Sequence, residues 1–143
     1  MTGASAFPQG GAAGRVLVAE DEFLVYLALE DDLRANGYEV LGPFTTLAGT
    51  LDAVTHERID LALLDINLGG EMIFPVADEL LARKVPFIFL SGYSSGAVPE
   101  SYRGFPRLEK PYDPARLMGA LRQLSQGKIP DLAPGEEVEL PAA

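Results

Sequence analysis

Four groups of polar residues follow short apolar runs of the sequence, at the points where parallel strands would end. They are Glu20 with Asp21, Asp65, Ser91 and Lys110. Three carboxylates in one pocket repel one another by roughly 1 to 4 kcal/mol per pair at close range, and a divalent cation relieves that repulsion. Oxygen ligands in an incomplete protein shell favour Mg2+. A carboxylate can also attack phosphorus to form an aspartyl phosphate, whose oxygens a lysine and a hydroxyl would neutralise and bind.

Each of these groups also has a simpler explanation when it is taken alone. Acids after a strand usually cap the next helix, and Asp65 before a Gly-Gly pair could be a turn residue. Ser91-Gly92 is ordinary turn chemistry, and Lys110 could be a surface lysine. The chemical interpretation depends on all four meeting at one edge of a sheet.

The pattern of the chain predicts the sheet that would bring them together. Short apolar runs predict strands over 16–19, 38–44, 61–64, 86–90 and 107–108. Helical patterns predict helices over 22–36, 47–56, 74–83 and 114–124. Apolar strands that alternate with helices indicate a parallel sheet covered on both faces. We therefore predict an α/β, flavodoxin-like doubly wound sheet with strand order 2-1-3-4-5, which binds ligands beyond the carboxyl ends of its strands.

The length, charge and composition of the chain limit its domain organisation and the classes of function open to it. The chain has 143 residues, enough for one domain, which we place at 15–125 between a flexible tail over 1–14 and an acidic, Pro-rich tail over 126–143. A net charge of −10 argues against direct nucleic-acid binding. No cysteine is present and His56 is the single histidine, which disfavours thiol and histidine chemistry. Without a signal peptide or a long apolar stretch, we expect a cytoplasmic protein with no membrane partner.

Residues 15–124 resemble the receiver domain of two-component response regulators, the CheY-like family. By this resemblance Asp65 would be the phosphoacceptor. Mg2+ would be bound directly by Asp65 and Asp21, by Glu20 through water, and by the backbone carbonyl of Asn67.

The same resemblance assigns the remaining roles. Ser91 would be the switch hydroxyl and Lys110 the phosphate-contacting lysine, joined to Pro111 by a cis bond. The partner would be a histidine kinase or a histidine phosphotransfer domain. The protein would then be a signalling protein that catalyses its own phosphotransfer and slow autodephosphorylation, not an enzyme that turns over a substrate.

A narrower resemblance is to the FAT GUY group of single-domain response regulators, carried by FLSGY at 89–93, by LEKPYDP and by INLGGE. That group has alanine and threonine where this chain has Leu90 and Ser91, so the hydroxyl is kept. Typical receivers carry an aromatic residue three positions before the lysine, but here that residue is Arg107. Because the segment 92–106 is rich in Gly and Pro, we expect no long stable helix there. We also expect the segment to be mobile without phosphate and to become ordered on phosphorylation.

The first helix is apolar nearly all round from Phe23 to Leu29. Burial against the sheet would explain this, and so would a surface that docks the helical phosphodonor of a kinase. We predict Tyr26 to be an exposed member of that surface.

Three functions are consistent with these features. A stand-alone response regulator would signal through an unknown protein target or act as a phosphate sink, since no output domain is evident after Gln126. A haloacid-dehalogenase-like phosphatase would need a second aspartate two residues after Asp65, where this chain has Asn67. A non-phosphorylated interaction module would not need the four groups at the strand ends.

Overall fold

The computed structural model describes residues 13–92, 98–130 and 132 of the chain. Its main strands are β1 Gly14–Ala19, β2 Tyr38–Phe44, β3 Leu61–Asp65, β4 Phe87–Ser91 and β5 Arg107–Glu109. Its α-helices are α1 Phe23–Ala35, α2 Leu47–His56, α3 Phe74–Ala82 and α4 Pro114–Ser125. A 3-10 turn covers Glu100–Tyr102, and the short strands Asn67–Leu68 and Glu71–Met72 form a separate hairpin, the 67–72 hairpin.

The five main strands form one parallel sheet in the order β2-β1-β3-β4-β5. This confirms the predicted flavodoxin-like topology. Every residue of β3 and β4 is buried, because helices cover both faces of the sheet and leave no polar side for these strands to alternate with.

Each face of the sheet has its own apolar core. Val16 and Val18 of β1 point to the face covered by α1 and α4. Leu17 and Ala19 point to the other face, covered by α2 and α3. Successive strand side chains point to opposite faces, so one strand contributes to both cores and fixes the positions of helices on either side.

The packed part of the chain is longer than predicted at both ends. β1 begins at Gly14, one residue before the predicted start of the domain. After α4, Gly127 adopts a φ of 78°, and the chain turns back along the helix. Leu132 is only 4% exposed, and its carbonyl accepts a hydrogen bond of 3.0 Å from Arg116 Nη2. An apolar side chain of the Pro-rich segment thus joins the α1/α4 core beyond residue 125, and the domain boundary at 125 stays a prediction.

The connection between β4 and β5 lacks an α-helix in its described part, as expected from its glycines and prolines. Residues 98–106 contain only the turn Glu100–Tyr102. Residues 93–97, with Tyr93 of the FLSGY segment, and most of the two predicted tails lie outside the described residues. The expected ordering of 92–106 on phosphorylation stays a prediction.

The prediction that Tyr26 is an exposed residue of α1 is wrong. Tyr26 is 4% exposed, and its hydroxyl donates to the carbonyl of Gly42 at 3.1 Å. The large apolar residues of α1 that are exposed are Phe23, Leu24 and Leu27. None of the helices in the described ranges combines the length and the apolar character needed to cross a bilayer.

Candidate functional site

Three carboxylates meet at the carboxyl edge of the sheet. β1 lies beside β3 with Ala19 paired to Leu64, so the residues that follow Ala19 come next to Asp65. Carboxylate oxygens of Glu20, Asp21 and Asp65 all lie within 4.8 Å of one another. Glu20 and Asp65 are buried while Asp21 is exposed, so the group opens to solvent on the side of Asp21.

Lys110 supplies the positive charge of this site. It follows β5, and the peptide bond to Pro111 is cis, as the resemblance to receiver domains implies. Its Nζ lies 2.8 Å from Glu20 Oε1, 3.1 Å from Asp65 Oδ2 and 3.3 Å from Glu22 Oε1. The contact with Glu22 was not anticipated, because Glu22 looked like an ordinary first residue of a helix. One ammonium therefore forms ion pairs with three carboxylates.

Backbone amides hold the acids in place. The amide of Glu22 donates to Glu20 Oε2 at 3.0 Å, and the amide of Gly69 donates to Asp21 Oδ2 at 2.9 Å. Gly69 has a φ of 61°, a left-handed conformation that glycine adopts readily. The Gly-Gly pair after β3, which the sequence marks only as a loop, thus presents an amide to Asp21 across the site.

The two other predicted site residues flank this group. The amide of Asn67 donates to Asp65 Oδ1 at 3.3 Å, and its side-chain oxygen accepts a 2.8 Å hydrogen bond from the amide of Gly70. Ser91 is buried at the end of β4, and its carbonyl accepts a 2.7 Å hydrogen bond from the amide of Lys110. All predicted site residues therefore lie at the same sheet edge.

The electrostatics of the site reflect its excess of negative charge. Burial, reinforced by the charge of Glu20, raises the pKa of Asp65 to about 7, although Lys110 acts in the opposite direction. Burial alone would lower the pKa of Lys110, but its contacts with Glu20 and Asp65 outweigh that effect and raise the pKa. The ammonium stays charged at neutral pH, and a single ammonium does not offset the carboxylates around it.

The donor set fits a hard divalent cation. Glu20 Oε1 is buried and accepts no hydrogen bond, so its contact with Lys110 is an ion pair only. A buried carboxylate oxygen without a well-aligned donor is costly unless a cation compensates it. Mg2+ prefers carboxylate oxygens as ligands and usually keeps several water molecules. The three carboxylates here supply such oxygens, and the open side of the group leaves room for water.

A cavity of about 880 Å3 extends from these acids along the surface between α1 and α4. Its polar end includes Asp21, Asp65 and Lys110, and its apolar part includes Leu24 and Tyr112. Asp65 can therefore be reached through this cavity along the exposed side of α1.

Comparison with known proteins places this arrangement in a family. The chain matches none of the protein-family models. It is similar to SdrG from Sphingomonas melonis Fr1, with 38% identity, a TM-score of 0.69, and coverage of 85% of this chain and 96% of the SdrG chain. The fold is also similar to the receiver domain of the sensor histidine kinase PA1611 from Pseudomonas aeruginosa PAO1, solved with a magnesium ion in its active-site cleft. That match has 22% identity, a TM-score of 0.66, and coverage of 79% of this chain and 98% of the other.

Among curated proteins, the chain is similar to the transcriptional regulatory protein PdtaR of Mycobacterium tuberculosis H37Rv. The two are 26% identical over 125 residues, which cover 85% of this chain and 61% of PdtaR. The chain thus spans about three-fifths of the length of this relative. With the parallel five-stranded sheet and the similarity to SdrG across nearly the whole SdrG chain, the protein belongs to the CheY-like receiver domain family of response regulators.

Proposed function

We propose that this protein accepts a phosphoryl group on Asp65, with Mg2+ bound by the neighbouring acids, and relays a two-component signal. The observation that carries the proposal is the position of Asp65. It lies within 4.8 Å of the carboxylate oxygens of Glu20 and Asp21 and 3.1 Å from the ammonium of Lys110. Family membership supports the same chemistry.

The transfer is a displacement at phosphorus. An Asp65 carboxylate oxygen forms a bond to phosphorus while the bond from phosphorus to the donor nitrogen or oxygen breaks, and the electron pair leaves with the donor. A phosphohistidine donor is left as an imidazole and an acyl phosphate as a carboxylate. The Lys110 ammonium and the Ser91 hydroxyl would contact the transferred oxygens, since phosphoryl transfer depends mainly on positioning and charge neutralisation.

The residues that would hold Mg2+ are Asp21 and Asp65 directly, Glu20 through water, and Asn67 through its backbone carbonyl. The ion would supply positive charge where the phosphoryl oxygens gather. The amide of Gly69 would keep the Asp21 carboxylate turned toward the site.

Labelling with a small donor tests the proposal. Incubation with Mg2+ and acetyl phosphate should give a band that migrates more slowly on a phosphate-affinity gel, and Asp65→Asn should abolish it. Asp52→Asn is the matched control, because Asp52 is an exposed carboxylate on α2. A full-strength shifted band in Asp65→Asn, or no labelling of the wild type by any donor, would reject the assignment.

The proposed phosphodonor is a histidine kinase or a histidine phosphotransfer domain that docks on α1. Phe23 is 64% exposed and Leu24 79% exposed, and Leu24 lines the cavity that leads to Asp65. A helical donor domain could cover this apolar surface and present its phosphohistidine to the acids.

Two competing functions are less well supported. A haloacid-dehalogenase-like phosphatase would need an aspartate where this receiver has Asn67, and rapid release of phosphate from many monoesters would favour it. If the protein were a non-phosphorylated interaction module, the ionic cluster around Asp65 would have no function. We also propose that the protein signals through contact with a protein target. Its placement in the FAT GUY group is a proposal that rests on sequence segments such as FLSGY.

A further inference from the structure

The side chain of Asn67 spans the turn of the 67–72 hairpin. Its Oδ1 accepts a 2.8 Å hydrogen bond from the amide of Gly70. The strand pairing leaves a two-residue loop, Gly69-Gly70, and the two glycines have φ angles of 61° and 92°. Tight hairpin loops commonly need positive φ at both positions, which glycine adopts readily. The Asn67 side chain therefore ties the second glycine of the turn back to the strand that enters it.

The base of the hairpin is held more firmly than its tip. Leu68 is fully buried, and the amide of Ile73 donates to the carbonyl of Ile66 at 2.9 Å just outside the two short strands. The second strand, Glu71–Met72, is exposed. Because an isolated two-stranded hairpin is only marginally stable and glycine has the most conformational freedom to lose, the tip depends on hydrogen bonds that reach across it. The bond accepted by the Asn67 side chain is one of these.

A second hydrogen bond joins the tip of the hairpin to the proposed metal site. The amide of Gly69 donates to Asp21 Oδ2 at 2.9 Å, and among the described residues it is the one hydrogen-bond donor to this carboxylate. Asp21 is exposed, so without this donor its side chain could populate several rotamers. A ligand side chain that is already oriented loses less conformational entropy when a metal binds.

We propose that the side chain of Asn67 is a positioning residue for Asp21 in the metal site, acting through the Gly69-Gly70 turn. By accepting from the Gly70 amide, it holds the turn so that the preceding amide donates to the Asp21 carboxylate. This role is separate from that of the Asn67 backbone carbonyl, which would contact the metal itself. The inference rests on the proposed function, because it takes Asp21 as a ligand of Mg2+.

An asparagine suits this position. Its own amide donates to Asp65 Oδ1 at 3.3 Å, so Asn67 is bonded to one proposed ligand directly and to the other, Asp21, through the turn. Its side chain supplies an oxygen acceptor without adding negative charge to a site that already holds several carboxylates. Groups that orient metal ligands from outside the coordination shell commonly affect metal affinity.

Mg2+ binding tests this role against a purely structural one. The Mg2+ affinity of the full chain is measured by calorimetry for wild type, Asn67→Ala, Asp21→Ala and the double variant. Asn67→Ala keeps the backbone carbonyl and should weaken Mg2+ binding by about five-fold, the scale of one hydrogen bond. In the Asp21→Ala background the same substitution should cause no further loss, because Asp21 is the group through which it acts.

Amide exchange tests the turn itself in the metal-free protein. The exchange of the Gly69 and Gly70 amides with water is measured by NMR in EDTA. Asn67→Ala should speed the exchange of both amides, because it releases Gly70 directly and Gly69 through the turn. Asp21→Ala should speed the exchange of Gly69 and leave Gly70 protected by Asn67.

Asn36→Ala is the matched control. It removes an asparagine side-chain hydrogen bond to the backbone carbonyl of Asp32 that is also 2.8 Å long, at the end of α1, and should leave Mg2+ affinity and both exchange rates unchanged. Two results would overturn the inference. One is unchanged exchange of the Gly69 amide in Asn67→Ala, and the other is an undiminished loss of Mg2+ affinity in the Asp21→Ala background, which would place the effect in the Asn67 carbonyl.

The same measurements separate this inference from the proposed function. If wild type itself binds no Mg2+, the proposed metal site fails and the role of Asn67 fails with it. Normal Mg2+ binding by wild type, with the same affinity in Asn67→Ala, would overturn only the role of the Asn67 side chain.

Discussion

The Lys110 ammonium and the Asp65 carboxylate meet at 3.1 Å, although 45 residues separate them in the chain. The parallel sheet produces this contact, because the end of β3 and the residue after β5 reach the same edge. The same ammonium lies 2.8 Å from Glu20, so Lys110 balances two buried carboxylates, and under the proposed function it would also contact the transferred phosphoryl group.

Replacing Lys110 should therefore destabilise the metal-free protein. Lys110→Gln leaves Glu20 and Asp65 buried without a cation, and removing one partner of a buried ion pair costs about 3 to 5 kcal/mol. We expect the free energy of unfolding in EDTA, measured with urea, to fall by about 3 kcal/mol, and saturating Mg2+ to restore much of the loss. Lys128→Gln, at an exposed lysine, should change stability by less than about 0.5 kcal/mol. Equal effects of the two substitutions would contradict this account.

The raised pKa of Asp65 makes metal-free stability depend on pH. The pKa is about 7 in the folded protein and 3.8 ordinarily, so the folded state binds more protons between these values. The contribution of Asp65 to stability is then fully present below about pH 4 and is lost as the pH rises to about 7. At about 1.4 kcal/mol per pKa unit, wild type in EDTA should lose roughly 2 to 4 kcal/mol over this range relative to Asp65→Asn. Parallel pH profiles of unfolding for the two proteins would show that the pKa of Asp65 is not raised.

Much of the site follows from the sequence because strand ends are local signals. Apolar runs stop at Glu20 and Asp65, and parallel topology brings such ends together whatever the details of packing. What the sequence did not reveal depends on tertiary contacts. The amide of Gly69 reaches Asp21 only once the loop has folded, and Leu132 is buried although its neighbours are typical of a disordered tail.

Tyr26 illustrates a second limit. α1 is apolar on nearly every side, so its pattern does not distinguish a buried face from an exposed one. The structure buries Tyr26, Leu29 and Leu33, three positions on one side of a helix. Val25 is partly buried against the same core, and Phe23, Leu24 and Leu27 are left exposed.

Asp21 should bind the metal without being needed for the fold. It is exposed and bonded through Gly69, and its charge repels Glu20 and Asp65. Asp21→Asn should lower Mg2+ affinity by roughly ten-fold or more, and the free energy of unfolding in EDTA should not fall. Asp31→Asn, at an exposed carboxylate of α1, is the matched control and should leave Mg2+ affinity unchanged. Unchanged Mg2+ binding by Asp21→Asn would exclude Asp21 as a ligand.

Leu24 should matter for transfer from a protein donor and not for the chemistry itself. It is 79% exposed and lines the cavity that runs to Asp65, so Leu24→Glu would place a charge in the proposed docking surface without disturbing the core. Phosphotransfer from a cognate kinase or phosphotransfer domain should slow by about ten-fold or more, since a central contact of an interface is worth over 1 kcal/mol. Labelling by acetyl phosphate should keep its wild-type rate. Leu81→Glu introduces the same charge at a leucine of α3 that is 42% exposed, and both rates should stay at the wild-type level. Equal slowing of both reactions by Leu24→Glu would place the defect in the site, and equal slowing of kinase transfer by Leu81→Glu would remove α1 as the docking surface.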